Sequence, residues 1–185
     1  MKDVWERIEK WFRAHVPNVL EDLYEGASDN DIKALEAQWG VVLPNDLRAS
    51  LQIYDGEDGL HSIAAPWLLF SLRQMALEVK DMRAFAQNQT DTGEMEARGP
   101  VKSMLWNSAW VPFAGDGSGN LLCVDLDPEP AGHRGQVIQW AADPPFIAVV
   151  AESFRAWLIQ FADELSAGKF HWDKQNKLWL RTDSE

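Results

Sequence analysis

The chain has 185 residues, of which 46% are hydrophobic and 25% are charged, proportions typical of one globular domain with a buried core. This apolar content excludes disorder for most of the chain, and the apolar stretches are too short to predict insertion into a membrane. The charged N-terminal residues do not resemble a secretory signal. Because the single cysteine, Cys123, excludes an intrachain disulfide, we expect a reducing, cytoplasmic location.

Acidic residues outnumber basic ones, and the formal net charge is −12. Between residues 21 and 58 the sequence has ten acids and only two bases, Lys33 and Arg48. Nucleic-acid binding requires positive charge near phosphate, so we expect no nucleic-acid partner. A basic protein partner would suit the acidic stretch. The alternative is a solvated acidic face that only keeps the protein soluble.

Three short helices are predicted in the first sixty residues. Asp3 fits the N-cap of the first helix, which ends before Pro17. Ser28 fits the N-cap of the second, and Gly40 fits its C-cap. Pro44 fits the first helical position of the third. The sequence DGEDG at positions 55–59 then predicts a turn.

Helices and strands both appear in the rest of the sequence. A short strand and a helix after Ser71 are predicted first, followed by a polar, mobile loop from Gln87 to Lys102. The apolar period then changes to that of strands joined by glycine- or proline-rich turns. Ser153 caps a last helix that Gly168 ends. The short early strand is Trp67–Phe70. The three later strands are Trp110–Ala114, Leu121–Leu126 and Gln136–Trp140, with Phe146–Val150 as a fourth element.

The glycine-rich loop at positions 115–120 resembles a phosphate-binding loop in spacing alone. Such loops lead from a strand into a helix N-terminus, whereas this one joins two predicted strands. We therefore interpret it as a hairpin connection. Asp125 and Asp127 have the strand spacing of a metal-binding pair, but the Asp127-Pro128 sequence favours a turn instead.

No residues in the sequence form a convincing catalytic or metal-binding set. The four histidines are scattered without metal-ligand spacing. Cys123 lies within an apolar strand, where a buried, inert thiol is the simplest interpretation. We predict no catalytic residues, no metal and no cofactor.

Three ordered blocks of sequence resemble the SUKH superfamily of Smi/Knr-like proteins, named for a yeast regulator of cell-wall synthesis. The helical block runs from Ala27-Ser28 through Gly40-Val41-x-Leu43-Pro44 to Asp55-Gly56. The strand block runs from Trp110-Val111-Pro112-Phe113-Ala114 to Gly135-Gln136-Val137-Ile138. The last block is Ser153-Phe154-x-x-Trp157-Leu158. Together they cover about residues 27–172.

The resemblance implies an α+β fold, with helices around one mostly antiparallel sheet in a single domain. We divide the chain into an N-terminal helix (1–26), the SUKH domain (27–172) and a C-terminal tail (173–185). The resemblance also implies a non-enzymatic protein-binding role. Bacterial members are taken as immunity proteins that neutralise toxins, many of them nucleases, and this is our main prediction. The alternative is the fungal role, a regulatory scaffold for cell-wall and glucan synthesis.

An acidic inhibitor would meet a basic toxin through complementary charge and exposed aromatic side chains. We therefore predict a partner-binding surface with carboxylates from Glu57, Asp58 and Asp116. Trp106 and Trp110 are the candidate aromatic contacts. The competing interpretation places Trp110 in the core, because it begins a core strand.

A third hypothesis makes the protein an enzyme of unknown type. It would use Asp116 and Asp125 as carboxylates in one cleft. A raised carboxylate pKa in a concave pocket would support that hypothesis.

Overall fold

The computed structural model describes residues 1–58, 62–88, 95–173 and 178–182. The α-helices are α1 (Lys2–His15), α2 (Asp29–Trp39), α3 (Asn45–Leu51), α4 (Leu72–Asn88) and α5 (Phe154–Ser166), with a 3₁₀ helix at Pro17–Asp22. The strands are β1 (Leu23–Glu25), β2 (Tyr54–Glu57), β3 (Leu68–Leu69), β4 (Glu96–Arg98), β5 (Trp110–Gly115), β6 (Leu121–Asp125), β7 (Gln136–Ala142), β8 (Pro145–Ala151), β9 (Phe170–Asp173) and β10 (Leu178–Arg181).

A six-stranded sheet forms the centre of the fold, with the order β3-β5-β6-β7-β8-β4. Every neighbouring pair is antiparallel except β4 and β8, which run parallel. Two further antiparallel pairs, β1 with β2 and β9 with β10, lie outside this sheet. The predicted α+β fold with a mostly antiparallel sheet is confirmed.

Successive strand residues point to opposite sides of the sheet. Both of these faces are buried, each in its own core. Val111, Leu122 and Val137 face one core, which also contains the apolar faces of α1, α3 and α5. Cys123 and Ile138 face a second core. Side chains of α4 and of the segment before β5 complete that second core, namely Met82, Met95, Val101 and Trp106.

The predicted ends of α2 and α5 are confirmed. The Ser28 hydroxyl accepts a hydrogen bond from the Asp31 amide, and Gly40 adopts a left-handed φ of 71° at the C-cap. Ser153 caps α5 by accepting a hydrogen bond from the Ala156 amide. Gly168, beyond the end of α5, has a φ of 70°. Each end therefore follows from the local sequence.

Two predicted helix starts are wrong. Helix α1 begins after Met1 without a side-chain cap, and Asp3 instead forms an ion pair with Arg155 of α5 at 2.5 Å. That contact joins residues 152 positions apart. Pro44 is the N-cap of α3 rather than its first helical residue.

The predicted turn at residues 55–59 is also wrong, because Tyr54–Glu57 forms strand β2. Gly56 has a φ of 77°, and a Cβ atom there would lie 2.5 Å from the Phe70 carbonyl carbon and 2.8 Å from the Ser71 Cα. Glycine therefore lets β2 cross closely against the start of α4. Residue 59 lies outside the described residues.

The predicted loop between Gln87 and Lys102 contains regular structure at both described ends. Helix α4 extends to Asn88, and Glu96–Arg98 pairs with β8. Residues 89–94 lie outside the described residues.

In the part of the chain that is described, no helix is both long and apolar enough to cross a membrane.

Gly40 and Gly56, which have similar φ angles, allow a matched test of the close crossing of β2 and α4. We expect Gly40→Ala to cost about 1 kcal/mol, the strain of a left-handed alanine, because nothing lies within 4 Å of its added Cβ. Gly56→Ala should cost at least about 2 kcal/mol more, since it adds backbone overlap to that strain. Urea unfolding of both variants measures the difference. Equal losses would contradict the close crossing of β2 and α4.

Candidate interaction surfaces

Glu57 lies inside the fold, with none of its surface exposed. Its carboxylate accepts hydrogen bonds from the Ile63 and Leu69 amides, each at 2.8 Å, and from the Ser62 hydroxyl at 3.3 Å. Burial raises the pKa of Glu57 to about 7, against the opposing effect of these donors. The expectation of an exposed Glu57 is wrong, because this carboxylate holds the segment before α4 against β2.

The two candidate tryptophans are also buried, and their expected exposure is wrong. Trp106 is 6% exposed and Trp110 is fully buried. Their rings meet edge to face at 5.6 Å, and Trp106 meets Trp140 in the same way at 6.1 Å. The competing interpretation of Trp110 as a core residue is confirmed. These rings fill the second core because indoles bury large apolar areas.

Asp116 organises the connection between β5 and β6. Its carboxylate accepts hydrogen bonds from the Ser118 amide at 2.8 Å, the Asn120 amide at 3.1 Å and the Asn120 side chain at 2.6 Å. Gly117 and Gly119 supply positive φ angles in the same connection. The predicted hairpin connection is confirmed, and Asp116 lies half-buried at its tip.

Most acids in the stretch 21–58 serve the fold itself. Asp46 accepts a hydrogen bond from the Arg155 amide at 2.8 Å, and Asp55 accepts one from the Leu72 amide at 2.7 Å. The others with partners inside the fold are Asp29, Asp31, Glu36 and Glu57. Four acids of the stretch lie around β1, and we call them the β1 acidic patch: Glu21, Asp22, Glu25 and Asp58. Asp22 and Asp58 also have interaction partners of their own. The surface that could meet a basic partner is therefore smaller than the composition suggests.

Asp58 belongs to this patch, at the end of β2. Its side chain is exposed, and its amide donates a hydrogen bond to the Asp22 carbonyl at 3.0 Å. Binding of a partner by Asp58 or Asp116 stays a prediction. The five predicted residues do not form one surface, since three of them are buried.

Asp116 and Asp125 do not share a cleft. They stand at opposite ends of β6, whose five residues span about 16 Å. Asp125 is buried and accepts hydrogen bonds from the Gln136 amide group at 3.0 Å and the Asp127 amide at 2.9 Å. Burial raises the pKa of Asp125 while these donors oppose the shift. The nearby Trp110 N–H also lowers the pKa of Asp125 by favouring its ionised form. It does not, however, form a hydrogen bond among the described residues.

The single cysteine and the described acidic side chains are poorly placed to act as a nucleophile or to bind a metal. Cys123 is buried, and burial raises the pKa of its thiol, which disfavours the reactive thiolate. Residues 1–58, 62–88, 95–173 and 178–182 contain no group of three His, Cys, Asp or Glu side chains placed to hold a metal ion.

A cavity of about 280 Å³ lies between α5 and the sheet, and the sequence did not predict it. Trp67, Trp157 and Phe161 form aromatic walls, and Gln139 of β7 adds a polar side chain. Glu164 and Arg181 line it as an ion pair at 2.9 Å. The only sequence signal was a glutamine on the face of β7 that otherwise carries apolar residues such as Val137.

The buried Glu57 carboxylate predicts a specific pH dependence. Its pKa rises from the ordinary 4.5 to about 7 on folding, so the folded chain holds the proton more tightly than the unfolded one. The Glu57 contribution to stability therefore falls as pH rises through that window. Relative to Glu57→Gln, the wild-type free energy of unfolding should be lower at pH 8 than at pH 5.

Urea unfolding of both proteins at the two pH values tests this. Glu25→Gln is the matched control, because Glu25 is an exposed acid of the neighbouring strand β1. Its difference from the wild type should stay constant between the two pH values. Parallel pH profiles for the wild type and Glu57→Gln would contradict the assigned role of Glu57.

Comparison with known proteins identifies relatives across nearly the whole chain. It is 31% identical to the glucan synthesis regulatory protein of Neurospora crassa, over 96% of this chain and 41% of that protein. It is 26% identical to the cell wall assembly regulator SMI1 of Saccharomyces cerevisiae, over 98% of this chain and 43% of that protein. Identity to the Schizosaccharomyces pombe cell wall biosynthesis/cell cycle regulator smi1 is 29%, over 95% of this chain and 38% of that protein.

The chain spans about two-fifths of the length of these curated relatives. The sequence model of the SMI1 / KNR4 family (SUKH-1) matches residues 26–160. This range contains all six strands of the central sheet and about half of α5. The chain therefore belongs to the SMI1 / KNR4 family.

Proposed function

We propose that this chain is a non-enzymatic, cytoplasmic regulatory module that acts in cell-wall glucan assembly through protein contacts. The observation that carries the proposal is the similarity, over 95% or more of the chain, to fungal proteins named as regulators of glucan synthesis or cell-wall assembly. This supports the regulatory alternative better than toxin immunity.

The chemistry of the described side chains agrees with a binding role. The buried carboxylates of Glu57 and Asp125 accept hydrogen bonds from backbone and amide donors within the fold. Cys123 lies in the second core. The two carboxylates connect segments of the fold, and the thiol packs among apolar side chains. A role in binding makes no demand on them.

The toxin-immunity hypothesis is now supported by the β1 acidic patch alone. Asp58 and its neighbours would attract a basic protein by complementary charge. We retain Asp58 and Asp116 as proposed contacts for such a partner. The buried Glu57, Trp106 and Trp110 would act only indirectly, by holding the neighbouring loops in place.

A chimera tests the regulatory proposal. The part of the Saccharomyces cerevisiae regulator that aligns with this chain is replaced by residues 1–185, and cell-wall β-glucan is measured in cells that lack the native regulator. We expect the chimera to restore part of the lost glucan, because the transferred chain is similar to the replaced part of that regulator over 98% of its length.

The same chimera with Gly56→Ala is the control for a disrupted fold, and Gly40→Ala is its matched partner. The Gly40→Ala chimera should restore glucan like the unaltered one, and the Gly56→Ala chimera should not. A chimera that is folded and abundant but leaves glucan at the level of the deletion strain would refute the proposal.

A further inference from the structure

Ten of the fifteen described lysines and arginines form an ion pair with a carboxylate. In the described ranges, five have no carboxylate within 4.0 Å: Lys10, Arg73, Lys80, Arg83 and Arg134. Four of these five border two adjacent grooves at the C-terminal end of α2. Unpaired positive charge is therefore concentrated on one surface.

One of the two grooves lies between α2 and α4 and has a volume of about 540 Å³. We call it the α4 groove and define it by Gln38, Trp39, Arg73, Leu77, Lys80 and Arg83. Leu77 is 52% exposed, and Val42 of the second groove is 62% exposed. These are the two most exposed large hydrophobic side chains in the described chain. The surface thus combines apolar contacts with unpaired cations.

The exposed residues of α4 follow a helix-packing repeat. Positions 73, 77, 80, 84 and 87 are spaced alternately by four and three residues, and all five are exposed groove-lining residues. This spacing is that of a helix face that packs along a second helix. The stretch is about 21 Å long, or about four helical turns. Its length and spacing fit a partner helix laid along α4.

Arg83 of α4 reaches across the groove to the C-terminal end of α2. Its guanidinium makes two long contacts of 3.4 Å, with the Trp39 and Ser108 carbonyls. Its Nε atom is buried and has no hydrogen-bond partner among the described residues. Neither contact supplies a counter-charge. A carboxylate in the groove would provide one.

Neither carboxylate of α4 forms an ion pair within 4.0 Å with Arg73, Lys80 or Arg83 in the described ranges, although Asp81 is exposed beside Lys80. Glu78 and Asp81 are absent from the residues that line the groove. Glu78 is half-buried, and burial raises its pKa with a smaller contribution from Asp81. Positive charge and exposed leucine therefore face outward together.

From this arrangement we infer that the α4 groove binds an acidic amphipathic helix of a partner protein. Leu77 packs against its apolar face, and its carboxylates pair with Arg73, Lys80 and Arg83. The inference rests on the proposed protein-binding function and names the partner's chemistry. A peptide suits this surface better than nucleic acid or an anionic membrane, because the net charge of −12 repels an extended polyanion.

Fluorescence anisotropy with a designed probe tests the inference. The probe is a labelled helical peptide with leucine at its heptad a and d positions and glutamate at e and g. A second peptide has lysine in place of each glutamate. We expect the full chain to bind the glutamate peptide with salt-dependent affinity, and to bind the lysine peptide at least about tenfold more weakly.

Lys80→Glu should weaken binding of the glutamate peptide about tenfold, and Leu77→Asp should do the same. Lys10→Glu is the matched control, because Lys10 is an exposed, unpaired cation of α1 outside both grooves. It should change the affinity less than about twofold, as expected for a remote charge. Equal losses for Lys80→Glu and Lys10→Glu would overturn the assignment.

Other occupants would also overturn it. Binding to phosphatidylserine-containing vesicles but not to the glutamate peptide would assign the surface to a membrane. A dimer in sedimentation equilibrium that Leu77→Asp abolishes would assign it to a second copy of the chain.

The chimera separates failure of this inference from failure of the proposed function. If the glucan role is right and the groove is wrong, the Lys80→Glu chimera restores as much glucan as the unaltered chimera. If the glucan role is wrong, the unaltered chimera fails while the purified chain still binds the glutamate peptide.

Discussion

Burial of both faces of strands β5 to β8 is the constraint on which the rest of the structure depends. A sheet that is apolar on both sides must be covered on both sides. Helices α1, α2, α3 and α5 and the first half of α4 cover one face, and the second half of α4 with the segment before β5 covers the other. To reach that second face, α4 passes beside α2. The groove between them, and the exposed outer side of α4, follow from this arrangement.

Polar contacts between distant elements hold these layers together. Glu57 of β2 binds the amides of Ile63 and Leu69, and Asp46 of α3 binds the amide that begins α5. An unmade hydrogen bond to a buried amide is costly, so each carboxylate stabilises a junction that apolar packing alone would leave unsatisfied. This explains why an acidic stretch that suggests a binding surface in the sequence is largely structural.

The local parts of the fold could be predicted from the sequence, and the long-range parts could not. Ser28, Gly40 and Ser153 specify helix ends through neighbours within a few residues, and the alternating strands were equally readable. The path of β2 depends on the approach of Gly56 to Phe70, which no local pattern encodes. Burial of Trp106 depends on packing against Trp140. The sequence also could not predict which cations lack a counter-charge, because ion pairing is decided by tertiary contacts such as that of Arg155 with Asp3.

The distribution of charge, rather than its total, determines which partners the chain can bind. At physiological ionic strength, electrostatic interactions between exposed charges are screened beyond about 8 Å. A helix lying in the α4 groove therefore experiences Arg73, Lys80 and Arg83 more strongly than the carboxylates around β1. At longer range the net charge of −12 still disfavours approach by extended polyanions. Local attraction combined with distant repulsion selects a short acidic segment, and the exposed Leu77 adds the requirement that one face of it be apolar.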